Sequence, residues 1–359
     1  MSNTVDAHGS DDQRLFGLDL IRAAAIILVI LAHGSNFPGN PFSWVPAATS
    51  RLGWVSGVVG VEMFFCLSGF LIGILMSRIT HNGITPHSAW IFLLRRWMRT
   101  LPLYYLVLLA LVLFPVLEPS QRPAFWPYAL LVQNAVNPMP ASNWFGTSWS
   151  LVIEEWSYIV VAALALITAR FHRHPILLVA IILCVAGTVF RLWGLHLGGD
   201  WDTSVRKMFL TRLDAIAWGM ILAWFWFNHQ KATLAWSRAS LPASLPLLLV
   251  LVWIMSRPDL LSTDFGRIAV LPLFAAALCM VMPTIIILPS PNIIKPIITF
   301  VARISYTLYL VHWSVMFLVP QLVSRGWQFI CYIVLSVAAA TILTVVIERP
   351  VLRLRPRQV

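Results

Sequence analysis

The chain has 359 residues, of which 59% are hydrophobic and only 11% charged, with a formal net charge of +11. Soluble domains are about a quarter charged, so this composition excludes an ordinary soluble enzyme and points to a polytopic membrane protein. The positive charge lies in short loops between apolar runs, which is the pattern of positive-inside orientation and not of a nucleic-acid partner.

In chain order, residues 1–17 are polar, carry Asp6, Asp11 and Asp12, and lack a signal-peptide pattern. The first apolar run is therefore expected to stay as a helix. Apolar stretches of about 17–23 residues without strict alternation predict an all-α transmembrane bundle, since a span needs about 20 apolar residues. We read ten spans, near 18–37, 53–77, 101–117, 148–169, 175–195, 209–228, 241–256, 268–288, 297–319 and 328–348. The patch 124–136 is apolar but too short to cross, and is expected to be interfacial or re-entrant. The organisation is a polar tail (1–17), a membrane domain (18–350) and a basic tail (351–359). Alternate loops hold thirteen and seven basic residues; the richer set, which includes Arg78, Arg95, Arg96, Arg99 and the Arg349–Arg357 group, is expected to face the cytosol with both termini. Cys66, Cys184, Cys279 and Cys331 each sit in an apolar run, without a CxxC or Cys/His cluster, and read as small buried hydrophobes. There is no P-loop and no dinucleotide glycine fingerprint.

Ionisable residues at membrane depth are costly and are read first as functional. In the first run Arg22 and His33 are eleven residues apart. That is about 1100° of helix and about 16 Å of rise, so both side chains share one face at different depths. Arg22 lies toward the cytosol, with Asp19 one turn earlier as a pairing partner. His33 lies in the outer half, and a neutral imidazole there suits a general base for a hydroxyl. Glu62, in the outer part of the second run, could orient that imidazole or bind sugar hydroxyls; its plainer role is an acid favoured near a helix N-terminus. Ser68 and Gly69 read as close helix packing.

Arg96 and Arg99, three apart on one face before the third span, repel each other unless an anion bridges them, and phosphates suit their planar forks. Plain orientation charge is the alternative. The fourth span carries Glu154, Glu155 and Tyr158; Tyr158 shares the face of Glu154, one turn away. Trp149 fits an interfacial belt or a sugar-stacking surface. Arg212 and Asp214 are expected to pair internally. The ninth span places Tyr309 and His312 within the membrane, either as substrate contacts or as satisfied buried groups. Glu348 and Arg349 pair or mark the cytosolic boundary.

Together these residues resemble the bacterial acyltransferase 3 family. The resemblance covers about 18–350 and rests on Leu18–Arg22 through His33, Gly60–Ile72, Arg96-x-x-Arg99 with Pro102, Trp149-Ser150-Leu151 with Glu154 and Tyr158, Arg212-Leu213-Asp214, and Ser305-Tyr306 with Tyr309 and His312. Each motif alone is weak; six in order are specific. The resemblance implies ten helices and transfer of an acyl group, usually acetyl, from cytosolic acyl-CoA as donor substrate, with no permanently bound cofactor. Typical acceptors are hydroxyls of lipopolysaccharide, exopolysaccharide or related glycans. It implies a multi-pass protein of the bacterial cytoplasmic (inner) membrane, among membrane lipids, in which His33 is catalytic and Arg22, Arg96 and Arg99 serve the donor. Many relatives carry an added extracytoplasmic domain, and a stand-alone form is expected here. The expected site has His33 as base, assisted by Glu62 or Glu154; Arg22, Arg96 and Arg99 at the donor phosphates; and Trp149, Tyr158, Tyr309 and His312 at the substrate. The competing class is a proton-coupled transporter using the same His and Glu groups as a relay.

Overall fold

A backbone in lipid must satisfy its own N–H and C=O groups. The computed structural model does this with helices: among the residues it describes, 15–40, 46–114, 122–135 and 144–356, there is no β-strand. The helices are α1 Phe16–Gly34, α2 Pro46–His81, α3 Pro86–Leu113, α4 Phe125–Ala129, α5 Ser148–Thr168, α6 Pro175–Leu197, α7 Ala217–Met255, α8 Pro258–Leu261, α9 Asp264–Ile268, α10 Val270–Ile286, α11 Lys295–Leu322, α12 Gln328–Leu343 and α13 Arg349–Arg353. Residues 1–14 of the expected N-terminal tail, Val136 at the end of the expected interfacial patch, and 357–359 lie outside the described residues.

Local chemistry sets several boundaries. α3 opens on a capping box in which the Thr85 and Ser88 side chains each serve the other's backbone N–H, with Pro86 in the first turn. Pro175 also stands in the first turn of α6, there without a side-chain cap, and Gly198, at φ +72°, stops that helix where a side chain is disfavoured. The expected interfacial patch contains α4, pinned by Tyr104 Oη donating to Tyr128 O at 2.7 Å and Trp156 Nε1 donating to Leu131 O at 2.8 Å.

Among the described residues, seven helical stretches are long and apolar enough to cross a membrane by length and composition. The ten-span expectation is therefore not reached by this measure, for three physical reasons. The runs 209–228 and 241–256 are joined into one helical stretch, Leu210–Met255, broken at His229 (φ −141°, ψ 47°). α10 has 17 residues, short for a crossing. α11 has 28 residues, but Lys295, Arg303, His312 and Gln321 dilute its apolar character. The outward faces carry large apolar side chains such as Leu109, Val185, Leu249 and Val334, a surface suited to lipid. This is a multi-pass membrane protein.

α1 and α2 pack together and divide the interior into two apolar cores. One is formed with α3, α5, α6, α11 and α12 around Ile26, Phe65, Tyr104, Val152 and Leu310; the other with α7 and α10 around Ile21, Leu67, Phe70, Leu222 and Met282. Buried ions tie the elements. Arg212 and Asp214 are both paired internally, but with other elements and not with each other: Arg212 Nη2 donates to Glu62 Oε2 of α2 at 2.8 Å, and Arg191 of α6 grips both oxygens of Asp214 at 2.9 Å. Glu348 does not pair with Arg349; its Oε2 accepts from Thr307 Oγ1 at 2.7 Å. All four cysteines are free thiols; Cys66 and Cys279 are buried and Cys184 and Cys331 half-buried.

The α2–α7 crossing brings main chain against main chain. A Cβ on Gly69 would stand 2.0 Å from Ile216 O, and one on Gly219 would stand 2.1 Å from Cys66 O. Gly219→Val therefore forces these helices apart. The expected cost is roughly 1–3 kcal/mol, the range for overpacking a tight core, seen as a lowered melting temperature in detergent; an unchanged temperature would refute the close crossing.

Candidate active site

Five helices send polar side chains to one cavity. α1 contributes Arg22; α2 Ser68; α3 Arg96 and Arg99; α5 Ser150, Glu154 and Tyr158; and α11 Tyr306 and Tyr309. Apart from Thr100 and Ser305, the remaining walls are apolar, including Val61, Phe64, Leu67 and Leu71 of α2. Such mixed walls suit a ligand with an apolar body and a few polar points.

The cavity has a cationic end and a hydroxyl-rich end. At the cationic end Arg22 Nη1 reaches Asp19 Oδ1 at 3.2 Å, so Arg22 both pairs and lines the cavity. The Arg96 guanidinium lies 5.8 Å from the Tyr158 ring centre and 5.9 Å from that of Phe92. Deeper, Glu154 Oε1 accepts from Ser68 Oγ at 2.7 Å and also from Tyr158 Oη. At the far end the hydroxyls of Ser150 and Tyr309 meet at 2.6 Å, and Tyr309 Oη also donates to Thr147 O at 3.2 Å.

Past Tyr309 lie two histidines. The Tyr309 and His312 ring centres are 5.9 Å apart, and His312 Nε2 is 3.1 Å from His33 Nδ1. The partners fix the tautomers. Leu308 O is 2.9 Å from His312 Nδ1 and can only accept, so Nδ1 carries the proton. In the neutral pair His312 Nε2 is then an acceptor. His33 Nδ1 faces both this nitrogen and Val29 O at 3.1 Å, so it is a donor too. The lone pair of His33 is left on Nε2, the arrangement a general base requires. Trp313 stands edge-on to His33, ring centres 5.1 Å apart.

On the same side a buried cation crosses the chain. The π-helical turn Asp202–Arg206 places Arg206 4.6 Å from the Trp149 ring centre and 5.8 Å from that of Trp54. Arg206 Nε donates to Asp202 Oδ1 at 2.6 Å, and Lys207 Nζ reaches Oδ2 at 2.5 Å. Arg206 and Lys207 are close enough for their charge to reach His33. Burial alone would raise the Asp202 carboxyl, but Arg206 and Lys207 outweigh it and hold it down to about 2.

Of the residues singled out from sequence, Arg22, Arg96, Arg99, Glu154, Tyr158 and Tyr309 line this one cavity. His33 and His312 are joined to each other beyond Tyr309, outside the lining. Neither Glu62 nor Glu154 bonds to His33: Glu62 is buried against Arg212, and Glu154 is held within the cavity. Trp149 is buried beneath Arg206. Ser68, read as a packing residue, bonds Glu154, and Arg206, which the sequence does not single out, is buried. The four-residue spacing of Asp202 and Arg206 was the available signal for that pair; nothing local marks Ser68.

A family model described as an acyltransferase domain, Acyl_transf_3, matches residues 15–349. The chain belongs to the acyltransferase 3 family. The peptidoglycan O-acetyltransferase OatA of Listeria monocytogenes is 29% identical over 238 residues, covering 59% of this chain and 34% of the relative. A Staphylococcus aureus (strain COL) protein named "Putative O-acetyltransferase" is 24% identical over 334 residues, covering 83% of this chain and 50% of the relative. Nodulation protein 10 of Rhizobium leguminosarum bv. viciae is 24% identical over 397 aligned positions, covering 97% and 95%. The chain thus spans a third to a half of the length of the first two relatives. No solved structure matches. Membership of this family does not favour the transporter alternative.

The Asp202 clamp gives a pH test with a defined sign. A carboxyl held below its ordinary 3.8 stabilises the fold at neutral pH, and that contribution is lost as pH falls through about 2. Asp202→Asn is expected to melt below wild type at pH 7, with the gap closing between about pH 4 and pH 2. A gap independent of pH would refute the clamp.

Proposed function

We propose that this acyltransferase moves an acyl group, acetyl in keeping with the relatives' names, from cytosolic acyl-CoA to a hydroxyl of a cell-envelope or extracellular glycan. It would do so in the bacterial cytoplasmic membrane, with ten crossings and both termini in the cytosol. The observation that carries the reading is the cavity that begins at Arg22, Arg96 and Arg99 and ends at Tyr309, one ring short of the His312–His33 pair.

In this reading the guanidiniums take the donor's phosphates, for which planar forks are suited. The pantetheine arm runs along the apolar wall of α2, and Glu154 accepts hydrogen bonds from its amide N–H groups. The thioester reaches the Ser150–Tyr309 end. His33 Nε2 takes the proton of an acceptor hydroxyl as its oxygen attacks the thioester carbon. The tetrahedral intermediate collapses, the C–S bond breaks, and the thiolate recovers the proton from the imidazolium. The His33 Nδ1–H to His312 Nε2 bond disperses the imidazolium charge in between. Trp313, edge-on to His33, would border the acceptor sugar, with Trp149 buried beneath Arg206 behind it.

The experiment is mass spectrometry of envelope and secreted glycans from cells with and without the gene, looking for a loss equal to one acyl group. General-base catalysis contributes about 10²–10⁴-fold, so a normally inserted His33→Ala protein should match the deletion. Wild-type acylation by that variant would exclude the proposed role of His33, and identical glycans with and without the gene would exclude the reaction.

A further inference from the structure

The segment following α13 returns to the cationic end of the cavity. Pro356 O accepts a hydrogen bond from Arg95 Nη1 of α3, which fixes the chain at that point. The preceding residue, Arg355, thereby stands beside Arg95, Arg96 and Arg99, with Glu348 as the opposing charge. Its Nε and Nη2 atoms are buried and have no hydrogen-bond partner among the described residues. Among those residues, Arg96, Arg99 and Arg355 make no ion pair. Burial, then the charges of Arg99, Arg96 and Arg95, pull the Arg355 guanidinium down to about 9. Like charges gathered with buried donors unfilled are costly. What this arrangement lacks is a polyanion.

Position decides which anion each arginine meets. Arg96 and Arg99 line the cavity, whereas Arg355 lies near them but is not part of the lining. In coenzyme A the thioester arm leads to the diphosphate, and the ribose 3′-phosphate lies beyond it. A phosphomonoester carries about −1.5 to −2 charge at neutral pH, the most concentrated charge on the molecule. We infer that Arg355 binds the ribose 3′-phosphate of an acyl-CoA donor, while Arg96 and Arg99 hold its diphosphate. This rests on the acyl-CoA reading above and extends the donor site to a segment outside the membrane helices.

The test compares acetyl-CoA with acetyl-3′-dephospho-CoA by calorimetry on the full chain in nanodiscs, for wild type, Arg355→Gln and Arg355→Lys. Wild type is expected to prefer acetyl-CoA by roughly tenfold, the scale of one charged hydrogen-bonded contact. Arg355→Gln should lose that preference while binding the dephospho donor as wild type does, and Arg355→Lys should keep most of it. If Arg355→Gln keeps the full preference, or loses affinity for both donors equally, the assignment of Arg355 is overturned. If wild type binds neither donor, the acyl-CoA reading itself falls.

Discussion

Charge without water is the constraint on which this structure depends. Removing one partner of a buried ion pair costs about 3–5 kcal/mol, because the other charge is stranded. Glu62–Arg212 and Arg191–Asp214 meet that constraint inside the protein. The two pairs tie α2 and α6 to the short segment before α7, the same segment that meets Gly69 of α2 backbone to backbone. Glu62 is thus spoken for, and its position on the helix that lines the cavity gives it no access to His33.

Arg96 and Arg99 in the cavity, and Arg355 near them, lack the carboxylate partner that these pairs have. Arg96 rests on aromatic faces, which offer a cation only part of what a carboxylate would. Arg355 keeps buried donors unfilled. Arg191 and Arg212 also keep buried donors unfilled, but each has a carboxylate at 2.8–2.9 Å, whereas Arg96, Arg99 and Arg355 have none among the described residues, and the proposed anion would supply it.

Features within one helix were legible in the sequence. Arg96 and Arg99 share a face, Tyr158 reaches Glu154 one turn away, and Asp19 meets Arg22, because three- and four-residue spacings fix neighbours on a helix. Contacts between helices were not. His33 and His312 are 279 positions apart and Glu62 and Arg212 are 150 apart, so the pattern that marks each residue as polar within an apolar run does not say which partner it meets. The polar stretch around His229 read as a loop between two spans; the chain keeps helical hydrogen bonding on both sides of a single distorted residue. Burial of the loop cation Arg206 on a tryptophan face leaves no periodic trace.

The tyrosine between cavity and histidines sets a condition on any transfer between the two. Tyr309 Oη bonds Ser150 Oγ and Thr147 O, so its ring separates the arginine-lined space from the imidazole pair. Swinging it aside gives up two hydrogen bonds, each worth about 0.5–1.5 kcal/mol net. That is small beside the roughly 8–23 kcal/mol by which enzymes lower barriers. In the proposed reaction the partition would therefore exclude water from a thioester at rest and still yield to an acyl chain. The hydroxyls of Ser150 and Tyr309 would then stand where the thioester carbonyl passes, so the groups that close the path would be those able to donate to a developing oxyanion once it is open.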